Sequence, residues 1–246
     1  MNYRLNISYD GTKYKGWQRQ TSTSNTIQGK IEETLSKYFD KNILITGASR
    51  TDAGVHAKMQ VCNFKVDKEI DVDKLRMDLN KYLPSDIVVN DVIKVDDRFH
   101  SRFNAVKKTY SYTIWKSDAK YPPLFNRKYV YSYDYLINVD KLKEVAKMFV
   151  GKHEFKGFSS DKTKKGTVRT IEKIDISGDE LMVAIKITGD GFLYNMIRII
   201  IGTMLEIARG EKDIKIINDV FATQNRELAG FTVPACGLVL EKIHYT

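Results

Sequence analysis

Two kinds of hydrophobic periodicity alternate along this chain, and their order restricts the folds that it can adopt. Residues 3–10 alternate apolar and polar side chains, which predicts a strand with one buried face. Residues 26–39 instead carry apolar side chains at helical spacing. Asn25 with Gln28 resembles a capping box at the start of this helix. The chain therefore opens with a strand followed by an amphipathic helix.

The same order of elements occurs twice, as strand, helix, two strands, helix and strand. The first half continues with strands near 43–47, 59–66 and 86–95 and a helix that carries Val72 and stops at Pro84. The second half has a strand at 108–115, a helix that ends at Gly151, strands near 169–177 and 181–188, helices near 192–209 and 213–222, and a strand at 237–245. This order predicts an α+β fold of two ferredoxin-like (split βαβ) halves, residues 1–105 and 106–246, whose antiparallel sheets meet at a central cleft.

The charge of the chain favours a polyanionic partner. Forty Lys and Arg oppose 31 Asp and Glu, a formal charge of +9. Basic and aromatic side chains are interleaved in two long loops, near 10–25 and 152–168, and again near 98–110. Cations bind phosphates and aromatic rings stack on unpaired bases, so the mixture predicts RNA binding. The basic residues predicted to contact the RNA backbone are Lys13, Arg19, Lys162, Lys164 and Lys165.

Other classes of chemistry have no support in the sequence. The four histidines are far apart and neither cysteine lies at CxxC spacing, so no metal site is predicted. No glycine-rich loop for ATP or NAD is present. Cys62 and Cys236 are expected to be buried reduced thiols, which favours the cytoplasm. Polar residues interrupt the most apolar stretch, residues 191–208, so no membrane span is predicted.

The stretch GASRTDAGVHA, residues 47–57, carries the main candidate for chemistry. It places Asp52 in a run of small residues, where the carboxylate can project while the slim backbone lets a ligand approach. Arg50 could pair with Asp52 across the turn. A turn-forming aspartate beside a surface arginine is the alternative.

A second candidate is Arg198, which lies in the otherwise apolar stretch GFLYNMIRIIIGTMLEIA. A buried cation needs an anion or several acceptors, because an unpaired buried charge is costly. Asp52 and an RNA phosphate are both possible partners. A side chain that reaches the surface is the alternative.

Six stretches, in this order, resemble the tRNA pseudouridine synthase A family over essentially the whole chain: YDGTKYKGWQRQ, TIQGKIEETL, GASRTDAGVHA, KKTYSY, GFLYNMIR and ACGLVL. The resemblance implies conversion of uridine to pseudouridine at positions 38, 39 and 40 of the tRNA anticodon arm. It also implies that no cofactor is used and that the protein is a homodimer whose subunits cooperate in holding one tRNA.

The resemblance also implies roles for individual residues. Asp52 falls on the catalytic nucleophile and Arg50 on the arginine beside it, while Arg198 falls on the basic residue that pairs with that carboxylate. Tyr110 falls on the tyrosine that packs against the target base. Gly237 and Leu238 fall on the apolar pair that lines the pocket. The chain departs from the family pattern at Ser49, Ile199 and Val239.

Three points stay open at the level of sequence. Asp52 could attack the ribose carbon, assist departure of uracil, or add to carbon 6 of the ring. A non-catalytic RNA-binding protein or RNA chaperone would carry the same basic surfaces and would not need Asp52. A metal-dependent phosphodiesterase would need further ligands beside Asp52, and the sequence offers none nearby.

Neutralising Lys162, Lys164 and Lys165 together should weaken tRNA binding and reduce its salt dependence. Each lost phosphate contact removes roughly 0.7 to 0.9 from the slope of log affinity against log salt. Turnover at saturating tRNA should change little. Filter binding over a range of salt concentrations checks this, and an unchanged affinity and slope would place the RNA-binding surface elsewhere.

Overall fold

The computed structural model describes residues 1–160 and 166–246, so Lys162, Lys164 and Lys165 lie outside the described residues. The strands in the described part are β1 (Asn2–Tyr9), β2 (Thr46–Gly47), β3 (His56–Lys65), β4 (Ile87–Val95), β5 (Ala105–Trp115), β6 (Tyr131–Ser132), β7 (Gly151–Glu154), β8 (Val168–Gly178), β9 (Met182–Gly189) and β10 (Leu238–Tyr245). The α-helices there are α1 (Ile27–Phe39), α2 (Val72–Tyr82), α3 (Val139–Ala146), α4 (Met196–Ala208) and α5 (Ile216–Thr223).

The predicted α+β class is confirmed, since helices and strands alternate through the described residues. Backbone contacts divide the chain into two compact units. Unit 1 contains Met1–Val106 and Val239–Thr246, and unit 2 contains Lys107–Leu238. Most of β10 therefore lies with the N-terminal unit. The division into functional halves at residue 105 stays a prediction.

Unit 1 is built on a sheet in which β1 lies between β4 and β3, antiparallel to both. β2 pairs with the later part of β3, and β10 runs parallel to its first residues. The apolar face predicted for β1 is fully buried. Phe64 of β3 contacts both Tyr3 of β1 and Phe39 of α1, with ring centroids 5.9 and 6.1 Å apart. The aromatic layer therefore joins the sheet to α1.

The predicted cap of α1 is wrong by one residue. Thr26 is the N-cap, and its hydroxyl accepts a hydrogen bond from the backbone N–H of Gly29 at 3.2 Å. Asn25 instead donates its side-chain amide to the carbonyl oxygen of Lys13 at 2.6 Å. Both residue types cap helices well, so the tertiary bond to Lys13 decides which of them does so here.

Unit 2 is built on a sheet in which β5, β9, β8 and β7 pair antiparallel in that order. Strand β7 lies in the segment that the sequence assigns to a long loop. A short 3₁₀ helix, Lys156–Phe158, follows it. Phe155 and Phe158 are fully buried beside Phe221, with ring centroids 5.4 and 5.1 Å from it. Two buried rings in so short a stretch show neither helical nor strand periodicity, so the sequence pattern does not predict these elements.

Helix α4 begins four residues later than the sequence predicts. Asn195 precedes it in the left-handed conformation, at φ 60°, and the helix ends after 13 residues. Arg198 therefore lies in its first turn rather than in its middle. No helix in the described part is long and apolar enough to cross a membrane.

Gly202 lets the segment before β10 lie directly against α4. A Cβ built on Gly202 would come within 1.9 Å of the carbonyl oxygen of Phe231. Beside it, the hydroxyl of Thr203 accepts a hydrogen bond from the backbone N–H of Gly230 at 2.8 Å. The contact is therefore backbone to backbone, and it requires glycine.

Both cysteines are free thiols, as predicted, but the predicted burial is right for Cys62 and wrong for Cys236. Cys62 is buried in β3, and this burial raises the pKa of its thiol. Cys236 is only half-buried, and its Sγ donates to the carbonyl oxygen of Val130 at 3.3 Å.

Gly202→Ala should destabilise the protein by about 1–3 kcal/mol, because the added methyl overpacks the contact with Phe231. The sign of the change in the free energy of unfolding is informative, because replacing Gly by Ala inside a helix otherwise stabilises a protein by about 1 kcal/mol. Gly178→Ala, at the end of strand β8, is the control for a methyl added without overpacking, because its Cβ would meet nothing closer than 3.4 Å. Urea unfolding of both variants checks this, and a Gly202→Ala variant as stable as the parent would contradict it.

Candidate active site

Asp52 opens a tight turn that runs into β3. The backbone N–H of Val55 donates to the carbonyl oxygen of Asp52 at 3.1 Å, and Gly54 supplies the positive φ, 78°, within the turn. The Asp52 side chain is half-buried. We call residues 51–55 the Asp52 turn. Its internal hydrogen bond fixes the backbone from which the carboxylate projects.

Thr51, at the start of the Asp52 turn, is held on two sides. Its hydroxyl is 2.7 Å from the hydroxyl of Tyr9, and both groups are buried. Its carbonyl oxygen accepts from the backbone N–H of Trp17 at 3.0 Å. The residue before the candidate nucleophile therefore has little freedom to move.

The segment between β2 and the Asp52 turn is held by β3. The side-chain amide of Gln60 donates to the carbonyl oxygen of Ser49 at 2.8 Å, and its oxygen accepts from the Ser49 backbone N–H at 3.3 Å. Gln60 is fully buried. The bonds use only the backbone of Ser49, so the departure from the family pattern at this position leaves them intact.

Residues 10–17, which we call the clamp loop, lie directly against the Asp52 turn. A Cβ on Gly11 would come within 2.0 Å of the carbonyl oxygen of Val55. A Cβ on Gly16 would lie 2.7 Å from the carbonyl oxygen of Thr51, and Gly16 also has a positive φ of 93°. The backbone N–H of Gly54 donates to the carbonyl oxygen of Tyr14 at 3.3 Å. This packing therefore requires glycine at both positions.

The clamp loop is itself anchored to the rest of unit 1. The carbonyl oxygens of Gly16 and Trp17 accept from the first backbone N–H groups of α1, at 3.2 and 3.0 Å. These groups have no partner within the helix. The indole of Trp17 lies on the backbone of Gly47, where a Cβ would meet it at 2.4 Å. The loop thus connects helix α1 and strand β2 to the Asp52 turn.

Three polar contacts complete the anchorage. The hydroxyl of Tyr14 donates to the carboxylate of Asp86, and burial together with this bond raises the pKa of Tyr14. Nδ1 of the buried His56 lies 3.0 Å from the backbone nitrogen of Gly11 and 3.2 Å from the carboxylate of Asp10. The start and the middle of the clamp loop are therefore bonded to β3 and to the segment before β4.

The basic residues predicted in unit 1 differ in their surroundings. Lys13 and Arg50 are exposed. Arg19 forms an ion pair of 3.0 Å with Glu32 of α1, whose side chain is only 7% exposed. Arg19 must exchange or share this partner to bind a phosphate. Lys13 needs no such exchange, because only its backbone is used in the bond from Asn25.

Tyr110 lies in the middle of β5, opposite Ile187 of β9. It is 5% exposed, and its ring meets the ring of Phe192 edge-on, with centroids 5.4 Å apart and planes at 86°. This contact fixes the plane of the tyrosine ring.

Arg198, in the first turn of α4, is held by two acceptors of its own unit. Its Nε donates to the carbonyl oxygen of Val233 at 2.7 Å, and its Nη1 donates to the side-chain oxygen of Asn195 at 2.9 Å. These bonds use two of the five N–H donors of the guanidinium. Burial raises the pKa of Tyr112, and the nearby charge of Arg198 opposes that rise.

Gly237 and Leu238 lie where the chain enters β10. A Cβ on Gly237 would lie 2.8 Å from both the carbonyl oxygen of Thr113 and the ring of Tyr112. The hydroxyl of Tyr112 donates to the carbonyl oxygen of Pro234 at 2.8 Å. Within unit 2, Tyr112 therefore links β5 to the segment that accepts the hydrogen bond from Arg198.

Sequence reasoning located the carboxylate but missed the residues that hold it. The sequence predicts that aromatic rings of the first loop stack on RNA bases, and this is wrong for Tyr14 and Trp17, because both are buried. Tyr9, Gly11, Gly16 and Trp17 instead surround the Asp52 turn, and the sequence pattern assigns none of them to holding it. The signal that could have found them is the pair of glycines beside buried aromatics in YDGTKYKGW. Among residues 1–160 and 166–246, no three His, Cys, Asp or Glu side chains are grouped as metal ligands.

Two comparisons with known proteins, by sequence profile and by full-length relatives, point to the same family. The sequence profile described as "tRNA pseudouridine synthase" matches residues 6–104 and 145–246. A relative named tRNA pseudouridine synthase A, from Bacillus sp. (strain KSM-64), is 46% identical over 245 residues, which cover 99% of each chain. Another, tRNA pseudouridine synthase A 2 from Clostridium perfringens (strain 13 / Type A), is 43% identical over the same shares.

Among solved structures, the crystal structure of a Cbf5-Nop10-Gar1 complex aligns with a TM-score of 0.40 at 11% identity. That alignment covers 97% of this chain and 48% of the solved one. The profile and the full-length relatives together establish that the chain belongs to the tRNA pseudouridine synthase family.

Gly16→Ala should destabilise the protein more than Gly210→Ala does. Both residues have a positive φ, 93° and 81°, so both variants carry backbone strain of about 1–3 kcal/mol. Only at Gly16 does the new methyl also meet the backbone of the Asp52 turn, whereas at Gly210 it meets nothing within 4 Å. Urea unfolding of the two variants measures the difference. If both variants lost the same free energy of unfolding, the clamp loop would not be packed tightly against the Asp52 turn.

Proposed function

We propose that this protein converts uridine to pseudouridine in the anticodon arm of tRNA, at positions 38, 39 and 40, with Asp52 as the nucleophile. The observation that carries the proposal is the Asp52 turn. Its backbone is hydrogen-bonded to Tyr14 and Trp17, while the carboxylate that it bears is half-buried. The family membership of the chain supplies the reaction.

The reaction is an isomerisation, so its atoms balance without a second substrate. The bond between ribose C1′ and uracil N1 breaks, the base turns, and a bond forms between C1′ and C5. The proton lost from C5 is balanced by one gained at N1. No electron enters or leaves, so we propose that the protein uses no cofactor.

Asp52 supplies the single group that this chemistry needs. An ionised carboxylate can attack C1′, assist departure of the uracil, or add to C6 of the ring. Rigid placement matters because a group already held in position need not be ordered during the reaction. The bonds to Thr51 and Gly54 provide that placement in unit 1.

We propose that Arg198 and Arg50 keep Asp52 ionised. An arginine within reach of a carboxylate favours its charged form. The support for Arg198 is its guanidinium, which the carbonyl oxygen of Val233 and the side-chain oxygen of Asn195 hold in one position. The role of Arg50 is supported by its position, since it is exposed and lies two residues before Asp52.

We propose that Tyr110, Gly237 and Leu238 receive the flipped uracil. A uridine within a helix must leave its stack before Asp52 can reach it, which costs a few kcal/mol. Contact between the base and an aromatic ring returns about 1–3 kcal/mol. The ring plane of Tyr110 is already fixed by Phe192, so this contact needs little further ordering.

We propose that Lys13, Arg19, Lys162, Lys164 and Lys165 bind the phosphates of the same tRNA. The exposure of Lys13 supports its role. For Arg19 the ion pair with Glu32 must open or be shared. The other three lysines lie outside the described residues, and their role rests on the charge of the sequence alone.

The finer architecture and assembly are part of the proposal. We propose two ferredoxin-like halves whose sheets meet at an RNA-binding cleft. The ferredoxin-like arrangement of the first half is supported by the strand order of unit 1, which is β4, β1, β3 and β2. We also propose a homodimer that acts in the cytoplasm, where its free thiols stay reduced. A non-catalytic RNA-binding role is not favoured, since the relatives are named as synthases.

Asp52→Asn should abolish pseudouridine formation while the protein keeps or slightly improves its affinity for tRNA. Asparagine retains the size of the side chain but loses the charge and the nucleophile, and removing a negative charge lowers repulsion of phosphates. Asp73→Asn is the control, because that carboxylate is 81% exposed in the first turn of α2. Its activity should equal that of the parent.

A single-turnover assay beside filter binding measures both quantities on one tRNA transcript. An Asp52→Asn protein that still modifies tRNA at more than a trace rate would refute the catalytic assignment. Loss of tRNA binding in this variant, with an intact fold by circular dichroism, would instead assign Asp52 to binding.

A further inference from the structure

Residues 120–129 of unit 2, which we call the aromatic arm, expose more apolar surface than a surface segment normally does. Phe125 is 88% exposed, Leu124 64% and Tyr121 54%. Two prolines, Pro122 and Pro123, stand between them. Large apolar side chains grouped on a surface mark a binding site more often than chance exposure.

The aromatic arm is held in place at its base rather than left as a loose loop. The indole Nε1 of Trp115 donates to the carbonyl oxygen of Tyr121 at 3.0 Å, and the two rings lie 6.1 Å apart. The guanidinium of Arg127 donates to the carbonyl oxygen of Leu124 at 2.5 Å. Trp115 at the end of β5 and Val130 directly after the arm are both buried. The exposed rings are therefore presented by an ordered backbone, and ordering them costs little on binding.

The aromatic arm is also positively charged. It contains Lys120, Arg127 and Lys128 and no Asp or Glu. The nearest carboxylate before it, Asp118, lies 3.6 Å from the Lys116 amine. Lys120 and Arg127 are exposed. Cations therefore alternate with exposed rings along ten residues, and a polyanion with unpaired bases satisfies both groups.

We propose that the aromatic arm is a second RNA-contact surface, which binds unpaired nucleotides of the tRNA substrate. Phe125 and Tyr121 stack on bases, and Lys120 and Arg127 bind the flanking phosphates. The proposal rests on the proposed function, since it takes tRNA as the ligand. A second copy of this chain is the less suitable occupant, because two arms without carboxylates would bring like charges together.

Substitutions at Phe125 test the stacking. Phe125→Ala should weaken binding of a tRNA transcript at least about fivefold, the lower end of the range for one base on an aromatic ring. Phe125→Leu should weaken it similarly, whereas Phe125→Trp should retain it, because stacking needs a π-face rather than apolar volume. Tyr82→Ala is the matched control: this tyrosine is 63% exposed on α2 with the Lys81 amine 5.4 Å from its ring centre, and its loss should change nothing.

Salt dependence separates the two contributions within the arm. Lys120→Ala should reduce the slope of log affinity against log salt by roughly 0.7 to 0.9, as one lost phosphate contact does. Phe125→Ala should lower the affinity at every salt concentration and leave the slope unchanged. Filter binding of the full chain with the transcript measures both.

Sedimentation velocity on the same proteins tests whether the aromatic arm instead binds a second copy of this chain. The proposal expects every arm variant to keep the oligomeric state of the parent. If Phe125→Ala dissociates an oligomer and Phe125→Leu preserves it, the arm is an interface between copies and the proposal is wrong. Unchanged tRNA affinity in Phe125→Ala also overturns it.

The assay distinguishes this proposal from the proposed function. A parent protein that forms pseudouridine, beside a Phe125→Ala variant with unchanged affinity, would refute the arm and leave the function standing. A parent that neither binds nor modifies the transcript would refute the function and the arm with it.

Discussion

The structure of unit 1 depends on a close approach of two backbone segments, the clamp loop and the Asp52 turn. Gly11 and Gly16 allow it, because a Cβ on either would meet a carbonyl oxygen of the turn at 2.0 or 2.7 Å. Protein interiors are close-packed, so a side chain there would displace the turn rather than be absorbed. The approach in turn lets Trp17 donate to Thr51 and Tyr14 accept from Gly54.

This constraint connects the fold to the chemistry. A single carboxylate must act on a nucleotide that has left its helix, and the enzyme gains most when that carboxylate does not have to be ordered at the same time. In unit 1 the required order is built in, since helix α1 and strand β3 are hydrogen-bonded to the clamp loop and the indole of Trp17 packs on strand β2.

Much of this could be predicted from the sequence, for reasons that differ between elements. Strand β1 and helix α1 have long, regular periods, and each occurs where it was expected. Strand β7 is four residues long and carries no such period, so the sequence predicts a loop there. Thr26 rather than Asn25 caps α1 because Asn25 bonds to Lys13, a contact that no local pattern encodes. The resemblance identified Asp52, but the glycine packing behind it depends on segments about 40 residues apart.

The most direct test of the central claim is to map pseudouridine at single-nucleotide resolution in unmodified tRNA transcripts after incubation with the protein alone. No metal ion or nucleotide is added, and a chelator is present throughout. The account predicts pseudouridine in the anticodon arm, at positions 38, 39 or 40, and at no other uridine. Transcripts that stay unmodified, or that are cleaved instead of isomerised, would contradict it.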